Sequence, residues 1–129
     1  MAKTRTFTDL DAVFASHPTT GDVSVRMDEK AIKFAVKSLI LTSNFERPFH
    51  SEIGSPIRAL LFENFGDSFE IVMREAVANV ITNFEPRVSL IDVIVKPSFD
   101  NNSVFITVQF KIKNTSQPLD VSVTLERTR

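Results

Sequence analysis

The strongest helix in this chain ends in a corner that local chemistry dictates. Phe69, Val72, Met73, Ala76, Val77, Val80 and Phe84 recur at three- and four-residue steps, which predicts one amphipathic helix over roughly 68–83. Asn83-Phe84-Glu85-Pro86-Arg87 closes this stretch. Proline at 86 disfavours helical geometry at Glu85, so the helix has to close at or before that residue. Glu85 and Arg87 are then held on a stiff corner. They can serve there as an internal clamp or as a docking point for a partner, and docking is the favoured use.

The segments around the corner alternate in character. Val88–Lys96 is apolar at nearly every position, the pattern of a strand covered on both faces. Asp100-Asn101-Asn102-Ser103 supplies turn chemistry, and Val104, Ile106, Val108, Phe110 and Ile112 then alternate with polar or outward residues. Leu119, Val121, Val123 and Leu125 repeat the alternation in a last strand. Upstream, Val23, Val25 and Met27 predict a short strand, and Asp28 is placed to cap a helix running to about Ser43. Ser55-Pro56 opens a second helix, with the Ser55 hydroxyl as its cap and Gly66 as its end. Arg47-Pro48-Phe49 reads either as a fixed turn whose Phe plugs the core or as a secondary contact with a partner. Residues 1–21 are expected to form an arm pinned by its Phe residues, and residues 22–129 a single domain. Elements segregated in this way predict an α+β fold, with three helices packed on a mostly antiparallel sheet of about four strands.

Bulk properties exclude several kinds of function. A chain of 129 residues suffices for one real core. With a net charge of -1 and basic residues interspersed among acids, there is no stripe to hold nucleic acid. No apolar run reaches membrane-spanning length, and Met1-Ala2-Lys3-Thr4-Arg5 is not followed by the apolar segment of a signal peptide. Cysteine is absent, so disulfide and thiol chemistry are ruled out. His17 and His50 have no second ligand at metal spacing, and neither a metal nor another cofactor is expected.

Three stretches together resemble one family. They are Arg47-Pro48-Phe49 with Gly54 and Leu61-Phe62-Glu63, then Asn83 to Arg87, then Pro97-Ser98-Phe99-Asp100 between two strands. Over about residues 20–127 the chain resembles the baseplate wedge proteins, or sheath initiators, of contractile-tailed, T-even-like phages. It is similar to the corresponding baseplate subunit of type VI secretion systems. The resemblance implies a structural protein of the virion tail, assembled in the host cytoplasm and placed sixfold around the tail tube. It implies docking on the helical bundle of the baseplate wedge through Glu85, Pro86 and Arg87, with Arg47 as a secondary contact. It further implies a sheath-facing strand at 119–127, carried by Leu119, Val121, Val123 and Leu125, onto which the first ring of tail-sheath subunits adds its arms. Tail-tube or hub-proximal proteins are further neighbours on this reading.

Two other functions compete with that one. The family carries a lysozyme-like label, and a peptidoglycan-degrading tail enzyme would need two carboxyl groups, one with a raised pKa. Glu52, Glu63, Glu75, Glu85 and Asp92 are available, but no pair stands out. Twelve Phe with neither Trp nor Tyr leave no residue suited to line a sugar groove with both an apolar face and a polar edge. A generic peptide-binding module is the other alternative, and a binding site on the helix faces would mark it.

Overall fold

The computed structural model describes residues 7–64, 66–113 and 115–127. The first six residues of the expected arm, Phe65, Asn114 and the residues after Arg127 lie outside that description. The order of elements is β1 (Thr8–Leu10), β2 (Val25–Met27), α1 (Asp28–Leu41), α2 (Ile57–Leu60), α3 (Phe69–Phe84), β3 (Val88–Ser98), β4 (Ser103–Ile112) and β5 (Pro118–Glu126).

The fold is α+β, but its strands form two antiparallel sheets instead of one of about four strands. β3, β4 and β5 make a meander in that order, and β1 pairs with β2 separately. The expected strand at Val23–Met27 therefore exists, with a partner that the sequence pattern had not revealed. β1 is only three residues long, too short to show a period. Its hairpin partner lies beyond residue 21, so the arm is folded back on the domain by backbone pairing from Thr8–Met27 to Leu10–Val25. Phe7 packs against the core, whereas Phe14 is exposed.

One face of the meander carries the core. Val104, Ile106, Val108, Phe110 and Ile112 of β4 and Val121, Val123 and Leu125 of β5 are buried, facing Ile32, Val36 and Ile40 of α1 and Met73, Val77 and Ile81 of α3. The other face is open, with Lys96, Phe105 and Thr124 exposed across it. β3 is thus not covered on both faces. Its continuous apolar run has a different cause: the register with β4 shifts between Leu90 and Asp92, leaving Ile91 as an extra residue. Val88 and Leu90 point inward before this bulge, and Val93 and Val95 after it. Two alternating halves of opposite parity, joined by a bulge, read as one unbroken apolar stretch.

Two expected caps take other roles. Asp28 has a left-handed backbone (φ 48°), and its carboxylate accepts from the Phe7 N–H at 3.2 Å, tying the hairpin to the start of α1. Ser55 is buried, but it serves the end of α1 and not the start of α2: its hydroxyl donates to the Ile40 carbonyl at 2.9 Å and the Thr42 carbonyl at 3.3 Å. Those are carbonyls left without partners where a helix stops. α2 itself is a single turn of four residues.

Candidate functional site: the acid–base corner and the open sheet edge

α3 ends as Pro86 requires, with Glu85 leaving helical geometry at φ -125°, ψ 81° while its N–H still donates to Ile81. Arg87 then begins the path into β3, and its carbonyl accepts from the Lys113 N–H at 2.9 Å. This places a guanidinium two residues from a carboxylate on a fixed turn, and the pair closes in a fork. Arg87 Nε donates to Glu85 Oε1 at 2.6 Å and NH2 to Oε2 at 2.9 Å. On its far side NH1 and NH2 both reach Asp9 Oδ2 at 3.3 Å. Bidentate geometry of this kind is the strong form of the Arg–carboxylate bond.

The corner is therefore clamped within the chain, its two charges engaged with each other and Arg87 also with Asp9. Glu85 is only 4% exposed, so its carboxylate is inside the domain. The physical reason lies in β1, which delivers Asp9 to the open side of the guanidinium. Glu85 above all, with Asp9, holds the Arg87 pKa above its ordinary value, against the opposing effect of burial. Pro86 is the exposed member of the triplet.

Arg47 comes to the same side of the molecule. It lines a shallow cleft of about 300 Å³ together with Asp9, Leu10, Phe34, Phe84 and Glu85. Its loop is rigidly set: Ser43 and Ser55 form a bridge, the Ser43 N–H donates to Glu46 at 2.8 Å, and the Phe45 N–H donates to Ser51 at 3.1 Å. Phe49 does not plug the core. It is fully exposed, Phe45 is 83% exposed, and both have left-handed backbones at φ 66°. Two bulky residues in that conformation are outliers, held by the pinned loop around them. Of the two readings of Arg47-Pro48-Phe49, the one that plugs the core with Phe49 rested on apolarity alone.

β5 sits at the edge of the meander, paired with β4 on one side only. Val121, Val123 and Leu125 are buried and Leu119 is half-buried, so these side chains belong to this domain's own core. What the edge offers outward is its backbone row of donors and acceptors. Among the described residues no group of acids and histidines is arranged to hold a metal ion, and no helix is long and apolar enough to cross a membrane.

Comparison with known proteins agrees with this architecture. A family described as baseplate wedge protein gp25 matches residues 26–117. The baseplate wedge protein gp25 of Enterobacteria phage T4 is 28% identical over 91 residues, covering 70% of this chain and 69% of the phage protein. Among solved structures, a putative tail lysozyme from Geobacter sulfurreducens superposes with a TM-score of 0.72 at 17% identity, covering 78% of this chain and 92% of that one. A chain of the anti-feeding prophage baseplate superposes with a TM-score of 0.65 at 21% identity, covering 92% and 83%. These structural likenesses concern the fold, and the family match carries the assignment: the chain belongs to the gp25 family of baseplate wedge proteins, structural components of contractile tails.

Proposed function

We propose that this protein is the adaptor between the baseplate wedge and the tail sheath. One flank docks on the helical bundle of the wedge, and the free backbone of β5 accepts the arms of the first sheath ring. The observation that carries this reading is the position of β5, whose outer edge has no strand beside it among the described residues. An extended segment can complete such a ladder by strand addition. The docking flank is the cleft lined by Arg47, Leu10 and Glu85, together with the exposed neighbours of those residues in the chain, Phe45 and Phe49 on the Arg47 loop and Pro86 next to Glu85. Arg and aromatic side chains are the residues that most often carry the affinity of interfaces. The clamp contributes by fixing the shape of that flank, since Glu85 and Arg87 are already engaged with each other.

Deleting residues 119–129 would be a poor test, because it also strips Val121, Val123 and Leu125 from the core. Amide hydrogen exchange separates the two effects. In the isolated protein the outward half of the β5 amides should exchange fast. Adding purified sheath subunits to assembled baseplates should slow them by about tenfold or more, with β3 unchanged. Unchanged β5 exchange in baseplates that carry sheath would refute edge pairing.

Peptidoglycan hydrolysis is the second reading, favoured only by the likeness to the Geobacter sulfurreducens protein. Here the carboxylates of Glu85 and Asp9, which border the shallow cleft, are both engaged by one guanidinium. Purified protein is expected to leave peptidoglycan turbidity unchanged. Clearing that Glu85→Gln removes would overturn the structural assignment.

A further inference from the structure

An open groove runs beside the free edge of β5, between the sheet and the outer side of α1. Its first part, about 1160 Å³, is lined by Lys30, Lys33, Lys37 and Leu41 of α1 and by Asp120 and Val121 of β5. Its second part, about 390 Å³, is lined by the same Leu41, by Arg58 and Phe62, and by Thr124 to Glu126. Leu41 borders both, and together they flank β5 at Asp120–Val121 and at Thr124–Glu126. A strand added to β5 would lie about 4.8 Å further out, in that groove.

The charges along it are arranged by side. Lys30, Lys33 and Lys37 stand at three- and four-residue steps and share one face of α1. Among the described residues neither they nor Arg58 has an ion-pair partner, whereas Arg26, at the groove's end, is paired with Asp11. Asp28 is engaged with the Phe7 N–H, which leaves Glu29 as the remaining acid on the helix side. After Pro118, the exposed residues of β5 are Asp120, Ser122, Thr124 and Glu126, alternating with its buried row and projecting from the other face of the sheet. An incoming strand would therefore meet cations with one of its faces and acids or hydroxyls with the other.

We propose that the segment that pairs with β5 carries carboxylates on its helix-facing side, read by Lys30, Lys33 and Lys37. This rests on the edge-pairing function argued above and adds the chemistry of the partner to it. Backbone pairing supplies no sequence preference, so side-chain charge is what selects the segment and fixes which of its faces turns inward. Three exposed ion pairs together amount to a preference of about tenfold.

Two fluorescent peptides, each as long as the nine residues of β5, test the assignment on the full chain. One alternates Glu with Val, and the other alternates Lys with Val. By anisotropy the Glu peptide should bind about tenfold more tightly than the Lys peptide, with the gap narrowing at high salt. The variant K30E/K33E/K37E should reverse the order, and K30Q/K33Q/K37Q should abolish the preference. All three positions are outside the core, so these variants keep the fold. Equal binding of both peptides, or a preference that survives charge reversal, would overturn the lysine assignment while leaving edge pairing intact. Binding of neither peptide to the wild-type chain would overturn both.

Discussion

Arg87→Ala should lower the stability of the isolated protein by about 3–5 kcal/mol, because it strands the Glu85 carboxylate inside the domain. A surface pair would be worth about 0–1 kcal/mol, so the outcome distinguishes an internal clamp from a charge held for a partner. Urea unfolding followed by circular dichroism measures the difference directly. Two further variants separate the causes. Arg87→Lys keeps the charge but loses the fork that grips both Glu85 oxygens, and should recover only part of the loss. Glu85→Gln in the Arg87→Ala background removes the buried charge itself, and should restore much of the stability. Asp9→Ala should be mild by comparison, since Asp9 is a third exposed and its contacts are longer. If Arg87→Ala unfolded at the wild-type urea concentration, the clamp would hold nothing together.

The clamp also shows which parts of this structure were legible in the sequence. Local chemistry marked the corner, since a proline fixes the residue before it whatever the rest of the chain does. The helix α3, the turn at Asn102 and the alternation of β4 and β5 were legible for similar reasons, each carrying a complete period or a left-handed backbone that Asn tolerates. Asp9 was not legible as the third member of the clamp. It lies 78 residues from Arg87, on a strand too short to announce itself. Ser55 was read as a cap because Ser before Pro usually opens a helix, and its preference for the α1 carbonyls depends on a loop closing back on Ser43. β3 misled for a subtler reason, since a bulge reverses the parity of a strand without altering its composition. The lysines of α1 have helical spacing, but nothing in the sequence places them beside β5.

Gly54→Ala should be the most damaging single methyl group in the chain. A Cβ at position 54 would stand 2.6 Å from the Ser43 carbonyl oxygen and 2.7 Å from its carbon, and both are backbone atoms that cannot swing aside. The glycine also has φ +155°, a conformation that side-chain-bearing residues rarely adopt. Overpacking and backbone strain together should cost about 2–4 kcal/mol. Gly66→Ala is the matched control, because nothing lies within 4 Å of its added Cβ. The site of the damage gives this variant its use. The close approach of Gly54 to Ser43 is what lets the Ser55 hydroxyl reach the end of α1 and what holds the Arg47 loop in its outward pose. Relief of the clash would open that bridge first, freeing Phe45 and Phe49 from left-handed backbones while leaving β5 in place. Wedge capture should therefore fall more steeply than the melting temperature predicts, and sheath-segment binding should follow stability alone. Phe45→Ser with Phe49→Ser completes the comparison: both rings are exposed, so stability should change by less than about 0.5 kcal/mol. Capture of wedge proteins at wild-type levels by that double variant would remove the loop from the docking flank and leave the cleft beside the clamp to carry it.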